Sequence, residues 1–74
     1  MTTAQRRART NALSLAKLRG WGLRELAKEM SKHKQTKGNY FASTLRFTTH
    51  AQADHAAAAL GIDVAELYKP LPGE

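Results

Sequence analysis

The sequence predicts an all-α protein built from four to five short helices. Apolar side chains recur at intervals of three and four residues, as they do along one face of a helix. No segment shows the alternation of apolar and polar residues that is typical of a half-buried strand, and capping pairs and glycines separate the helical segments. The predicted helices cover about residues 3–19, 23–33, 39–46, 50–60 and 64–68, and an irregular tail follows at 70–74.

The first two predicted helices are bounded by a capping pair and by glycines. Thr2 and Gln5 have the spacing of a capping box, in which each side chain bonds a free backbone N–H of the other residue. Gly20 and Gly22 separate the two helices, because glycine is costly in a helix interior, and Trp21 is interpreted as filling the gap between them. The predicted apolar faces are Ala4, Ala8, Ala12, Leu15 and Leu18 in the first helix, and Leu23, Leu26, Ala27 and Met30 in the second.

The last two predicted helices are recognised by similar signals. Thr49 and Gln52 form a second capping pair, and Gly61 has the place of a left-handed C-terminal cap. Asp63 and Glu66 form a third capping pair, which opens the short fifth helix. The fourth helix presents a shallow apolar face of Ala53, Ala56, Ala57 and Leu60. Its alanine run is interpreted as a tight helix contact, with a dimer seam as the alternative.

Length and composition limit the class of protein. The 74 residues predict a single domain over 1–74. The absence of cysteine excludes a disulfide scaffold and a cysteine zinc site. The net charge of +6 divides unevenly, with eleven basic residues against two acids in 1–47 and one against four in 48–74, so the two parts carry +9 and −3. This asymmetry favours a polyanion-binding face backed by a structural segment.

Neither catalysis nor metal binding is indicated by the sequence. His50 and His55 lie five residues apart and do not share a helical face as an i, i+4 pair would. Asp54 and His55 are adjacent and point in different directions, and no glycine-rich phosphate loop is present. We therefore expect no enzyme, no cofactor, no metal and no small-molecule ligand. No apolar run is long enough to span a membrane, so we expect a cytoplasmic protein.

Three segments carry a resemblance to a known family. Residues 15–29 read LAKLRGWGLRELAKE, residues 58–63 read AALGID, and residues 66–68 read ELY. This pattern resembles the lambda-repressor-like helix-turn-helix superfamily and is most similar to the small Ner-type phage regulators. In those proteins an Arg-Gly pair closes the first helix, a Leu-x-x-Leu step builds the second, and an Ala-Leu-Gly-Ile step closes the fourth. The resemblance covers about residues 12–70 and implies a compact four- to five-helix domain.

The resemblance implies that the third helix enters the major groove of DNA while the second lies across the backbone. With Phe41, Ala42 and Leu45 turned to the core, the opposite arc is polar, and asparagine and arginine there can recognise adenine and guanine. The predicted base-reading residues are Thr36, Asn39, Tyr40, Ser43 and Arg46. Base stacking, phosphate contact and simple packing all remain open for Tyr40. The predicted phosphate contacts are Arg6, Arg7, Arg9, Arg24, Lys28, Lys32, Lys34 and Lys37. A solvated helix face is the alternative for the lysines, and the three arginines near the start of the chain could reach a minor groove instead of the backbone.

Two functions from different classes are consistent with these residues. The favoured one is a sequence-specific regulator of transcription, a repressor encoded by a phage or prophage, that binds double-stranded DNA and associates with the nucleoid when bound. It would act as a homodimer at least on DNA, because one small module reads too few base pairs. The alternative is a basic helical adaptor or inhibitor that docks on an acidic protein partner without reading bases.

Overall fold

The computed structural model describes residues 2–34, 40–41 and 50–74. In these ranges the chain forms helices and turns and no strand, which confirms the all-α prediction for this part of the protein. The elements are helix α1 (Thr3–Leu18), helix α2 (Leu23–Ser31), helix α3 (His50–Leu60) and a 3₁₀ helix (Val64–Tyr68). None of the described helices is both long and apolar enough to span a bilayer.

The N-terminal ends of the elements are held by local side chains. The predicted capping box of α1 is confirmed: the Thr2 N–H donates to Gln5 Oε1 at 2.9 Å, and the Gln5 N–H donates to Thr2 Oγ1 at 3.1 Å. Asp63 caps the 3₁₀ helix by accepting from the Ala65 N–H at 2.9 Å. We predicted that Glu66 would be the reciprocal partner of Asp63 in this cap. Instead, the Glu66 carboxylate pairs with Lys69 Nζ at 2.7 Å. The pair predicted at 49 and 52 involves Thr49, which lies outside the described residues.

Two glycines end α1 and α3 in the same way. Gly20 and Gly61 have φ angles of 76° and 68°, in the left-handed region that favours glycine. After α1, the Trp21 N–H donates to Ala16 O at 2.9 Å and the Gly20 N–H to Lys17 O at 3.0 Å. Ile62 and Gly61 make the equivalent bonds after α3. Both ends are Schellman motifs, which satisfy the last free carbonyls of a helix, and both predicted helix ends are confirmed.

The helices meet in a single core cluster. α1 packs against the 3₁₀ helix, α3 and α2, while α3 also packs against α2 and the 3₁₀ helix. Small side chains dominate the contact faces, so the helix backbones approach closely. The buried residues are Ala8, Ala12 and Ala16 of α1, Leu26, Ala27 and Met30 of α2, Ala53, Ala56, Ala57 and Leu60 of α3, and Leu67 of the 3₁₀ helix. The buried face predicted for α3 is therefore confirmed, and in α2 only Leu23 remains half-buried.

The buried face predicted for α1 is wrong at its two ends. Ala4 is exposed, Leu15 is half-buried and Leu18 is 84% exposed, whereas Ala16 is buried. Residues four apart advance by about 40° around a helix, so the stripe from Ala8 to Ala16 rotates slowly along α1. Leu18 falls about 120° from the centre of that stripe and faces solvent.

The predicted third helix, 39–46, falls almost entirely outside the described residues. Its two described members, Tyr40 and Phe41, are not helical. Phe41 is 61% exposed, so the prediction that it is a core residue is wrong. That prediction assumed a helical period at position 41, and the period does not apply where the backbone is not helical.

Polar side chains tie the elements together at the edge of the core. Asn11 Nδ2 donates to Leu67 O at 2.9 Å and to Lys69 O at 3.0 Å, which holds the C-terminal end of the 3₁₀ helix on α1. The Arg19 guanidinium donates to Leu60 O, one of the last carbonyls of α3, and lies 5.4 Å from the ring centroid of Trp21. Trp21 is half-buried against the core, as its interpretation as a gap-filling side chain predicts.

We expect Leu60→Ala to lower the free energy of unfolding by about 3 kcal/mol, because it removes a fully buried side chain and leaves a cavity. Leu18→Ala is the matched control, since the same atoms are removed from a side chain that is 84% exposed, and its effect should stay below about 0.5 kcal/mol. Urea unfolding followed by circular dichroism measures both. Equal effects of the two substitutions would contradict the core described above.

Candidate nucleic-acid interface

A stripe of three basic side chains runs along the exposed face of α2 and its C-terminal cap. Arg24, Lys28 and Lys32 lie at four-residue intervals and are all exposed. They point away from the buried face of α2, since the centres of the two stripes lie about 155° apart on the helical wheel. The stripe extends about 12 Å along the helix axis. We call these three residues the α2 basic stripe.

The α2 basic stripe is only partly neutralised. Lys32 Nζ lies 2.9 Å from Glu29 Oε1, but the lysine side chain remains 60% exposed. No ion pair joins Arg24 or Lys28 to an acidic residue within the described ranges. Two of the three charges are therefore available to an external anion in this part of the structure.

The three arginines near the start of α1 are not equivalent. Arg6 is exposed and Arg9 is half-buried. Arg7 is joined to the tail, because its Nε and Nη2 donate to both carboxylate oxygens of Glu74 at 2.7–3.1 Å. The hydrogen bonds from Arg7 hold the pKa of Glu74 below its ordinary value, and the Glu74 carboxylate raises the pKa of Arg7. Arg7 thus already has an anionic partner within the chain.

Tyr40 is fixed beside the C-terminal end of α2. Its N–H donates to Ser31 Oγ at 2.8 Å, and its hydroxyl lies 2.6 Å from His55 Nδ1 on α3. The Tyr40 and His55 rings are tilted by 56° with centroids 5.6 Å apart. Lys34 Nζ lies 4.8 Å from the centroid of the Tyr40 ring, within the range of a cation–π interaction. Burial raises the pKa of the Tyr40 phenol.

The backbone, hydroxyl and ring of Tyr40 all contact other parts of the chain. Its predicted role in base reading stays a prediction. The remaining predicted base-reading residues, Thr36, Asn39, Ser43 and Arg46, lie outside the described residues, as does the predicted phosphate contact Lys37. Lys34 and Tyr40, which precede and follow residues 35–39 in the sequence, contact each other.

Several residues that position this region were not predicted from the sequence. Ser31 accepts from Tyr40 while its hydroxyl donates to Ala27 O at 2.8 Å. His55 pairs with Tyr40, and Arg19 joins the turn after α1 to α3. Glu74 pairs with Arg7 across 67 positions. Apart from the bond within α2 from Ser31 to Ala27, these contacts join residues that are at least nine positions apart, so no local pattern indicates them.

The histidines of α3 act as partners of tyrosines. His55 contacts Tyr40, and His50 Nδ1 lies 3.2 Å from the hydroxyl of Tyr68 in the 3₁₀ helix. Within the described ranges, no three histidine, aspartate or glutamate side chains gather closely enough to hold a metal ion. The two pairs therefore connect α3 to the segments that lie on either side of it in the sequence.

Comparison of the chain with protein-family models, with curated proteins and with solved structures gives no significant match. The helix-turn-helix relationship accordingly stays a prediction that depends on the residue pattern at 15–29, 58–63 and 66–68. The function has to be argued from charge and geometry.

We expect Tyr40→Phe to lower the free energy of unfolding by about 1 kcal/mol at neutral pH, because it removes a partly buried hydrogen bond to His55. Tyr68→Phe is the matched control: it removes the longer, exposed bond to His50 and should have a smaller effect. Thermal unfolding of the three proteins measures the difference. If the two substitutions lower the stability equally, the Tyr40 hydroxyl stabilises the fold no more than the exposed Tyr68 hydroxyl, which would contradict this prediction.

The difference in stability between the wild type and Tyr40→Phe should depend on pH. Because folding raises the pKa of Tyr40 above its ordinary value of 10.0, the neutral phenol stabilises the fold below pH 10. That stabilisation is lost as the pH rises through the raised pKa. The advantage of the wild type over Tyr40→Phe should therefore shrink above pH 10 in urea unfolding measured at several pH values. A stability difference that stays constant up to pH 11 would contradict this prediction.

Proposed function

We propose that this protein is a sequence-specific double-stranded DNA-binding regulator of transcription of the helix-turn-helix type, acting as a repressor and without catalytic activity. The observation that carries the proposal is the α2 basic stripe, which is exposed, opposite the core and largely free of acidic partners in the described residues. Its charge belongs to the part of the chain that carries +9. The resemblance of residues 15–29 and 58–63 to Ner-type phage regulators supports the same function and a phage or prophage origin.

The dimensions of the stripe suit a DNA backbone. Duplex DNA carries one negative charge per about 1.7 Å of its axis, counting both strands, so a stripe of about 12 Å can lie against several phosphates. In our proposal Arg24, Lys28 and Lys32 bind phosphate oxygens and set the orientation of α2. Such contacts position a protein on DNA without reading its sequence.

Base reading is assigned to the segment that follows Lys34. Thr36, Asn39, Ser43 and Arg46 have the donors and acceptors that recognise base edges, and Lys37 adds a phosphate contact. Lys34 and Tyr40 support this assignment, because these two residues, which precede and follow residues 35–39 in the sequence, meet at the C-terminal end of α2. Tyr40 then has an anchoring role: its bond to His55 connects the reading segment to α3.

The proposed DNA-bound state contains two copies of the chain. One small module contacts too few base pairs to select a single operator, and a pair of half-sites supplies the missing specificity. Selection of bound sequences from a random DNA pool tests this directly, since it returns both the half-site and the spacing between half-sites. A pool that shows no enrichment would contradict sequence-specific binding.

One observation favours the alternative of a protein-binding adaptor. Leu18 is 84% exposed between the basic residues Lys17 and Arg19, and an exposed leucine next to cations is also suited to an acidic protein partner. Titration with the selected operator and with random DNA at two salt concentrations separates the two functions. Absence of binding to both DNAs near physiological salt would favour the adaptor, and equal binding to both would indicate nonspecific coating of DNA.

We expect Lys28→Gln to weaken binding to operator and random DNA by a similar factor, and to reduce the slope of log K against log salt by about 0.9. Lys69→Gln is the matched control, because it removes the same charge from a lysine that is paired with Glu66 at the end of the 3₁₀ helix. It should leave the salt slope unchanged. If both variants weaken binding equally, total charge and not the α2 basic stripe determines affinity.

Arg46→Ala should behave differently from Lys28→Gln. If Arg46 bonds a base edge, its loss should cost about 1–3 kcal/mol on the selected operator and little on random DNA. Sequence selection with the variant should then show relaxed preference at one base pair of each half-site. Uniform weakening on all sequences would assign Arg46 to the phosphate backbone instead.

A further inference from the structure

The carboxylate of Glu74, in the segment that follows the 3₁₀ helix, is held against α1 by several hydrogen bonds. Glu74 accepts three hydrogen bonds from Arg7, with Nε at 3.0 and 3.1 Å from the two oxygens and Nη2 at 2.7 Å from Oε1. Glu74 also accepts from the Leu71 N–H, while its own N–H donates to Leu71 O at 3.1 Å. The turn from Leu71 to Glu74 thus fixes the direction of the carboxylate.

The contact combines specific geometry with access to solvent. Both side chains are 30% exposed, so the pair lies at the surface, where solvent screens it. The planar guanidinium presents paired N–H groups that match a carboxylate or a phosphate in the same way. Arg6, exposed on the preceding position, lowers the pKa of Glu74 by its charge. The charge of Arg6 therefore adds to that of Arg7 in favouring an oxyanion at this position.

We propose that Arg7 is an oxyanion site that takes a phosphodiester group of the nucleic-acid backbone, and that Glu74 occupies this site in the free protein as an internal competitor. The proposal rests on the proposed DNA-binding function, from which it takes the source of the phosphate. On DNA, a backbone phosphate replaces the Glu74 carboxylate on the fork of Arg7. No covalent step is involved, and the tail is released from α1 when the phosphate binds.

The first test uses no DNA. Inorganic pyrophosphate is titrated into the full chain while the Nε–Hε resonance of Arg7 is followed by NMR. We expect Glu74→Gln to lower the midpoint of the titration about threefold relative to wild type, because solvent screens the exposed pair that pyrophosphate displaces. Glu66→Gln is the matched control, because it removes the same charge from an exposed ion pair with Lys69, and it should titrate like the wild type.

The second test measures affinity for the selected operator. Glu74→Gln should bind about three- to tenfold more tightly than Glu66→Gln, and its salt slope should be steeper by about 0.9, as expected for one further phosphate contact. In the background of Arg7→Gln, the substitution Glu74→Gln should lose this advantage. The double variant therefore distinguishes competition at Arg7 from a general effect of removing a negative charge.

The two tests separate failure of this inference from failure of the proposed function. If Glu74→Gln and Glu66→Gln behave alike with pyrophosphate and with DNA, Glu74 is not a competitor and the inference is overturned, although DNA binding stands. If no variant binds DNA but pyrophosphate still shifts Arg7 at the lower midpoint in Glu74→Gln, the oxyanion site stands. In that case its proposed occupant is wrong, and so is the DNA-binding function.

Discussion

Seven of the eleven buried hydrophobic residues in the described part of the chain are alanines, and this shallow packing is the constraint on which the rest of the structure depends. Alanine provides all the buried side chains of α1 and all those of α3 except Leu60. The apolar area that each alanine buries is small, however, so each contact stabilises little. Only Leu26, Met30, Leu60 and Leu67 are large and fully buried among the described residues. The fold of so short a chain therefore also needs specific ties between its elements.

Those ties are polar and lie at the edge of the core. Arg19 bonds the end of α3, Asn11 bonds the end of the 3₁₀ helix, and Tyr40 joins the C-terminal end of α2 to His55. Each tie satisfies a backbone carbonyl or a partly buried hydroxyl that would otherwise be costly to leave unpaired. These polar contacts also determine which basic side chains remain available to an external anion. Arg19 and Arg7 have partners within the chain, whereas Arg24 and Lys28 have no acidic partner in the described ranges.

This division explains how a small basic protein can hold positive charge on a chosen face. The acids of the C-terminal part do not neutralise the α2 basic stripe; Glu66 pairs with Lys69, and Glu74 reaches back to α1. Tyr40 is bonded to Ser31 at the C-terminal end of α2, the helix that carries the stripe. In the proposed function, the α2 basic stripe contacts the DNA backbone, and Glu74 controls the access of a phosphate to Arg7 on α1.

Several features follow from local sequence patterns: the helix class, the N-terminal cap of α1 and its glycine end, the end of α3, and the buried face of α3, with most of that of α2. These features depend on residues within about five positions of each other, so the pattern that encodes them can be read directly. It failed at Leu18 because a four-residue stripe rotates along a helix, and at Phe41 because a helical period was assumed where the backbone is not helical. Of the candidate site, the exposed stripe of α2 could be predicted from helical spacing, but the packing of Tyr40 could not. The contacts of Tyr40 with His55, of Arg19 with the end of α3 and of Glu74 with Arg7 could not be predicted in this way. They join residues that are distant in the sequence and form only after the core has brought the helices together.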